Sequence, residues 1–438
     1  MSLSAPPPVG DLRLACLSCE ATYSAWEVRY RCDCGGVLEV LHAHPSPPTR
    51  QQLDERLRSR ATLDRSGVWR FREMVLPLAE EHIASRPEGN TPLYRHPDLS
   101  AHAGVHELLF KHEGENPTGS FKDRGMTTGL SMARALGQRS VACASTGNTS
   151  ASMAAYASLF GLRSFVFIPE GAIAFGKLAQ ALAYGATTLQ IRGDFDDAMR
   201  LVESLCARAG VYLLNSLNPF RLEGQKSIAM ELVQDLGWDV PDWLVVPGGN
   251  LGNASALHKG LRELHDLGLI HRLPRLAIIQ AAGANPLVRA VRAGETVVAP
   301  LPRAQTLATA IRIGAPVSGP KALRALRELR GVVEEATDKE ILEAKALLDR
   351  CGIGAEPASC TTLVGVKKLR ARGVISAEER VVCVLTGHVL KDPEVVVDYH
   401  LGRHALGADA PNTPLQVDAD ENALLRLLDS LQTDLSGG

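Results

Sequence analysis

From residue 107 onward this chain alternates short β-rich runs with helical stretches, and no other feature of its 438 residues restricts the fold as much. Strands are expected at 107–110, 140–144, 164–168, 187–191, 211–214, 242–246 and 275–280, with a last β-branched run at 381–385. The segments between them read as helices, several stopped by glycine, as at Gly137, Gly161, Gly185 and Gly210. Strand and helix at this pitch imply mostly parallel sheets covered on both faces, with ligands held at the carboxyl ends of strands. The chain is too long for one ordinary core. The fold class expected is α/β, with two doubly wound, mostly parallel-sheet domains and a small N-terminal cysteine-rich ribbon. The divisions expected are a leader at 1–48, an arm at 49–105 packing on the body, a smaller α/β domain at 106–210, a larger one at 211–400, and a tail at 401–438.

Charge excludes some partners. Apolar residues make up 45% of the chain and the formal net charge is −2, with no basic stripe or acidic block to draw nucleic acid or a membrane surface. No apolar run approaches the length of a membrane span, and residues 1–10 are proline-rich without an apolar core, so a cytoplasmic location is expected. In the tail, Leu424, Leu427, Leu428 and Leu431 share one helical face, which reads as a docking helix on its own chain or on the partner in a homodimer.

Nine cysteines divide into two groups. Cys143, Cys206, Cys351, Cys360 and Cys383 lie scattered in apolar contexts and read as buried thiols. The others form Cys16-x2-Cys19, then twelve residues, then Cys32-x-Cys34, with residues 27–31 alternating like a short strand between them. Four thiolates at two turns of a ribbon suit a structural zinc ion. The second pair is one residue tighter than usual, and a ribbon held by packing with free thiols is the other reading.

Several motifs follow the expected strand ends. Asn116-Pro117-Thr118-Gly119-Ser120-Phe121-Lys122-Asp123-Arg124-Gly125 carries turn residues, Ser120 as the expected N-cap, and apolar spacing from Met126 to a stop at Gly137. Lys122 then lies in the first helical turn, where backbone N–H groups disfavour positive charge and a neutral amine is available for a Schiff base. Ser145-Thr146-Gly147-Asn148-Thr149-Ser150 and Gly248-Gly249-Asn250-Leu251-Gly252-Asn253 each lead from a strand into a helix, the arrangement that cradles anions. Asn215, Ser216 and Arg221 follow another strand, and Arg offers paired charge-assisted bonds to phosphate. Thr386-Gly387-His388-Val389 follows the last run.

The Lys122 stretch resembles the lysine motif of the fold type II pyridoxal-phosphate enzymes, relatives of tryptophan synthase β and the serine/threonine dehydratases, and most closely that of the threonine synthases. The resemblance covers about residues 89–393. It implies that Lys122 carries pyridoxal 5'-phosphate as an imine, that Asn148 bonds its phenolic oxygen, and that a Gly249, Asn250, Leu251, Gly252 and Asn253 loop holds its phosphate. Thr386 would meet the pyridine nitrogen, Ser145, Thr146 and Thr149 would hold substrate anions, and Asn215, Ser216 and Arg221 would grip a substrate phosphate. Dehydratases typically use a run of glycines where this chain has Gly-Asn-Leu-Gly-Asn, and they bind no phosphorylated substrate. The implied reaction is therefore O-phospho-L-homoserine plus water to L-threonine plus phosphate, a lyase step in threonine biosynthesis. Cysteate synthase-like or dehydratase-like lyases, and a non-enzymatic relative, are the rivals. Gly89-Asn90-Thr91-Pro92-Leu93 matches the family's entry motif, and similar cysteine-bearing leaders occur in some threonine synthases. Thr306 through Gly314 and Glu356-Pro357-Ala358-Ser359 match family strings for which packing is an adequate explanation. Val389 departs from the family's second glycine, and His388 receives no role.

Overall fold

The computed structural model describes residues 12–43, 46–169, 175–192, 201–202, 206 and 208–435; the proline-rich stretch 1–10 lies outside them. In chain order the strands are β1 (Leu12–Cys16), β2 (Thr22–Ser24), β3 (Leu38–His42), β4 (Leu93–Tyr94), β5 (Glu107–His112), β6 (Ser140–Ala144), β7 (Arg163–Pro169), β8 (Thr187–Ile191), β9 (Tyr212–Leu213), β10 (Trp243–Pro247), β11 (Arg275–Ala281), β12 (Val332–Ala336) and β13 (Arg380–Leu385). They form three sheets: an antiparallel ribbon β2-β1-β3, a six-stranded sheet β12-β11-β10-β13-β5-β4, and a four-stranded sheet β8-β7-β6-β9. The larger sheet is parallel except where β4 pairs with β5, and the smaller is parallel throughout. Among the described residues no helix is long and apolar enough to cross a membrane.

A parallel strand loses solvent on both faces and therefore reads as a continuous apolar run. β10, Trp-Leu-Val-Val-Pro, is buried at every position. Successive side chains point to opposite faces, and the core divides accordingly. Leu244 and Val246 of β10 pack with Leu276 and Ile278 of β11 in one cluster, which also takes Val68, Trp69, Phe71, Met74 and Val75 from the arm. Trp243 and Val245 pack with Ala277 and Ile279 in another. The arm is thus core material, entered through the helix Arg50–Arg58, which Thr49 and Gln52 close with a capping box.

The structure departs from the sequence reading in identifiable places. Residues 27–31 form bends and irregular backbone with one isolated bridge, Arg31 to Val37, in place of a strand, because Tyr30 turns toward the body, where its hydroxyl accepts a bond from Leu213 N at 2.7 Å. β12 was not expected; Glu334 and Glu335 interrupt its apolar pattern, and they are tolerated on an edge strand because Arg372 and Arg292 pair with them. The boundary expected at 106 and 210 cuts across the sheets, since β5 belongs to the larger sheet and β9 to the smaller. The chain instead divides into compact units Met1–Asp392 and Pro393–Gly438. In the second unit the helix Glu421–Leu435 carries Leu424, Leu428 and Leu431 exposed and Leu427 half-buried.

A buried ion cluster ties the arm to the body. Arg124 donates to both oxygens of Glu113 at 2.7 Å and to Glu231 at 2.8 Å, and Lys111 donates to Glu231 at 2.6 Å. Arg70 of the arm reaches Glu231 at 3.3 Å, and the backbone N–H groups of Asn90 and Thr91 donate to it at 2.8 and 2.9 Å. Burial alone would push the Glu231 carboxyl up, but Arg124, Lys111 and Arg70 outweigh it and hold the group well below the ordinary range. Glu231→Ala should leave three cations without their shared partner and lower unfolding free energy in urea by roughly 3–5 kcal/mol. A loss under about 1 kcal/mol, the worth of an exposed pair, would contradict this role.

Candidate active site

The five motifs assigned to the site, at 116–125, 145–150, 215–221, 248–253 and 386–389, follow β5, β6, β9, β10 and β13, and hydrogen bonds join them to one another. β13 ends at Leu385, and the next residues pair with the lysine turn: Phe121 N donates to Thr386 O at 3.0 Å, His388 N to Gly119 O at 3.0 Å, and Ser120 bridges Gly387. That pairing replaces the N-cap expected of Ser120. The helix Lys122–Ala135 starts with Phe121 at its cap position, and Ser120 Oγ accepts only a long 3.4 Å bond from Lys122 N. Lys122 does occupy the first turn, as expected, and Gly137 follows the helix end with a φ of +70°, the left-handed conformation that glycine adopts freely. Asp123 fixes the turn by accepting bonds from Thr118 N at 2.7 Å and Thr118 Oγ at 2.6 Å.

Burial, together with the positive charge of Arg221, lowers the Lys122 ammonium to about 7, while Glu356 pulls the other way. Near neutral pH a large share of this amine is therefore unprotonated and able to attack an aldehyde. Its Nζ lies 3.8 Å from the centre of the Phe121 ring.

Glu356 organises the next part of the site. Asn148 Nδ2 donates to one carboxyl oxygen at 2.9 Å and Thr386 Oγ1 to the other at 2.9 Å. Ser359 Oγ lies 3.0 Å from Thr386 Oγ1 and accepts from Thr386 N at 2.8 Å. Burial raises the Glu356 carboxyl above its usual range, against the bonds from Asn148 and Thr386. The approach is close enough that a Cβ on Gly387 would stand 2.3 Å from Glu356 Cδ, so glycine is required there. From the sequence alone the Glu356 to Ser359 string has only a packing role. The available signal was a carboxylate opening a helix with Pro at its first turn, in an otherwise apolar segment.

The loop after β10 enters the helix Gly252–Asp266 through Leu251, whose φ of 64° is left-handed. A Cβ on Gly249 would approach Ile311 Cα to 3.1 Å, so the 306–314 string packs directly on this loop. Asn250 Nδ2 donates to Ser216 Oγ at 3.2 Å, and Asn250 Oδ1 accepts from Val317 N at 3.3 Å. Asn253 is buried, and both atoms of its side-chain amide lack a partner among the described residues. A glycine loop, a helix N-terminus and an orphaned buried amide suit an anion such as the phosphate of pyridoxal phosphate, and Lys122, Asn148 and Thr386 suit the rest of that cofactor.

Ser145, Thr146 and Thr149 are half-buried at the entry to the helix Asn148–Leu159, and Ser145 Oγ accepts from Gly147 N at 3.2 Å. A Cβ on Gly147 would meet nothing within 4 Å, so this turn borders open space. Asn215 is engaged differently from expectation: its amide accepts from Ala144 N at 2.9 Å and donates to Ala144 O at 3.2 Å, locking the end of β6 to the segment after β9. Arg221 is buried and donates to Leu214 O at 3.1 Å, while its Nε has no partner among the described residues. Cys16, Cys19, Cys32 and Cys34 also come together, with their four Sγ atoms within 4.8 Å of one another, in the ribbon.

The family described as pyridoxal-phosphate dependent enzyme matches residues 84–387. A threonine synthase of Methanocaldococcus jannaschii is 47% identical over 95% of this chain and 99% of its own length. One from Methanosarcina acetivorans is 48% identical over 88% of this chain and 93% of its own. This chain belongs to the threonine synthase family of pyridoxal-phosphate-dependent lyases. A crystal structure of threonine synthase from Escherichia coli, 19% identical, superposes with a TM-score of 0.68 over 95% of this chain and 99% of that one, which shows the shared fold.

Two outcomes are expected of this family member. Glu356→Ala removes the carboxyl that fixes both Asn148 and Thr386; with each bond worth about 0.5–1.5 kcal/mol, affinity for pyridoxal phosphate in a fluorescence titration should fall about ten- to hundredfold. Unchanged affinity would mean that Asn148 and Thr386 hold their positions without Glu356. On cofactor-stripped protein, the rate at which pyridoxal phosphate develops its visible absorbance should rise with pH and level off above about 7, because the neutral amine is the reacting form. A rise continuing toward about 10 would show an ordinary solvated lysine.

Proposed function

We propose that this chain converts O-phospho-L-homoserine and water to L-threonine and phosphate, acting as a cytoplasmic homodimer. One observation carries the reading. Arg221 is a buried guanidinium whose charge acts on Lys122 and whose Nε is unmatched among the described residues, an arrangement suited to a substrate anion close to the reacting amine. A lyase acting on free serine or threonine has no second anion to satisfy such a cation. Relatives named threonine synthase, 47–48% identical over most of the chain, support the same reading.

In this reading Lys122, Asn148, Thr386 and the loop from Gly249 to Asn253 hold pyridoxal phosphate. When bound, the cofactor supplies an electron sink for the bonding pair released at the substrate Cα. Lys122 Nζ, with its ammonium lowered to about 7, takes the Cα proton, gives it up to the electron sink, and then, neutral again, takes a Cβ proton. The Cγ–O bond breaks and its electron pair leaves on phosphate, which Arg221 and Ser216 steady through charge-assisted bonds. Protons return from Lys122 to Cγ and Cα. Water delivers hydroxide to Cβ and its remaining proton to phosphate, so threonine and inorganic phosphate account for every atom. Asn215 contributes by keeping the end of β6, and with it the Ser145, Thr146 and Thr149 turn, in register with the Arg221 segment. Half-buried hydroxyls beside a helix N-terminus suit the substrate carboxylate.

The purified protein loaded with pyridoxal phosphate should release threonine and phosphate in equal amounts from O-phospho-L-homoserine. Phosphate released from phosphoserine with sulfite, and none from phosphohomoserine, would overturn the assignment in favour of a cysteate synthase-like lyase. Arg221→Ala should raise KM for phosphohomoserine about ten- to hundredfold, the loss expected for charge-assisted hydrogen bonds. Unchanged kinetics in that variant would remove the guanidinium from the phosphate grip.

A further inference from the structure

The proposed reaction leaves the ribbon unexplained, yet the ribbon gathers four cysteine sulfurs at one point. Two tight turns bring the sulfurs together: Cys16 to Cys34 at 3.6 Å and Cys19 to Cys32 at 3.4 Å. Four thiolates on one zinc ion, each about 2.3 Å from the metal, stand about 3.8 Å apart, whereas a disulfide needs about 2.05 Å. The turns are shaped for the sulfurs. Ser18 N donates to Cys16 Sγ at 3.3 Å, and a Cβ on Gly36 would stand 2.7 Å from that sulfur. Gly35 takes a φ of +83°, which lets its N–H reach Cys32 O at 2.8 Å.

From these turns the ribbon reaches the body at both ends of one segment. Tyr30, between the cysteine pairs, accepts from Leu213 N through its hydroxyl at 2.7 Å, and its ring lies 5.8 Å from that of Tyr212. β3 leaves the second turn, and His42 Nε2 meets Glu223 Oε2 at 2.6 Å. Leu213 and Glu223 flank Ser216 and Arg221, the residues assigned to the substrate phosphate, and Asn215, which positions the end of β6. β3 also holds the helices beside that segment. Val40 O accepts from Lys259 Nζ at 2.6 Å on the helix that begins at the cofactor-phosphate loop, and Leu38 O accepts from Lys321 Nζ at 2.6 Å. Lys226 joins Glu223 at 2.5 Å to Glu263 at 2.6 Å, completing a buried network under the ribbon.

We propose that Cys16, Cys19, Cys32 and Cys34 hold one thiophilic divalent cation, zinc by its preference for tetrahedral thiolate, and that the ribbon so fixed brackets residues 213–223 and sets the geometry of their phosphate grip. The second half rests on the assignment of that segment to substrate phosphate. Ribbon residues are positioning residues: none reaches the reacting atoms, and their effect passes through Leu213 and Glu223.

The test uses the full chain loaded with pyridoxal phosphate. Elemental analysis of protein purified without chelator should find about one zinc per chain, and Cys34→Ser should lose it. Metal-free protein with titratable thiols, or an intact mass showing disulfides, overturns the cation site. Tyr30→Phe removes only the hydroxyl that receives Leu213 N–H, a change the fold should survive. It should weaken inorganic phosphate binding by calorimetry, and raise KM for phosphohomoserine, about two- to tenfold, with zinc content and the visible cofactor band unchanged. Unaltered phosphate affinity in both Tyr30→Phe and a zinc-free, cofactor-loaded Cys34→Ser overturns the bracket. Failure of the wild type to turn over phosphohomoserine strikes the substrate reading alone, because zinc content and phosphate affinity are read without turnover.

Discussion

The backbone pairing of Gly119, Ser120 and Phe121 with Thr386, Gly387 and His388 is the contact on which the site depends. It joins the turn bearing Lys122 to the end of β13, the strand that lies between β10 and β5 in the larger sheet. Side chains alone could not fix that relation, because a lysine stem has several rotatable bonds. With the two turns clipped together, the Thr386 hydroxyl and the base of the Lys122 side chain are placed by main chain, and Glu356 extends the order to Asn148. Glycine at 387 is what lets the carboxyl come so close, since any Cβ there would collide with it.

A second layer keeps this arrangement from drifting. The ion cluster around Glu231 binds Arg124, two residues past Lys122, to the arm and to the helix Ser227–Asp235. Glu88 takes part from the other side, accepting bonds from the Tyr156 hydroxyl at 2.7 Å and from Ser85 at 3.0 Å. Such groups are costly to bury unless paired, so they fix one packing and penalise others. The chemistry at Lys122 also draws on this rigidity: water that entered the pocket would solvate the ammonium and raise it toward its ordinary range.

The fold was readable where local pattern and tertiary environment agree. β6 and β8 fall on the expected residues, and β10, β11 and β13 carry apolar runs whose burial on both faces leaves one sensible reading. β12 was missed because its two glutamates are answered by arginines distant in sequence, and residues 27–31 misled because their alternation falls on bends and irregular backbone. At the site, the motifs after strand ends were legible as anion cradles, and the resemblance supplied their partners. Glu356 was not, since its importance lies in contacts with residues 30 and 208 positions away. Asn215 was misjudged in detail for the same reason: its bonds to Ala144 are visible only once β6 and β9 lie side by side.

The chemistry stands on the reactivity of a single amine. Reducing the cofactor-loaded protein with borohydride and mapping the peptides by mass spectrometry tests it most directly. One pyridoxyl group is expected, attached to Lys122. Label on a different lysine, or none while the other 437 residues are intact, would contradict it.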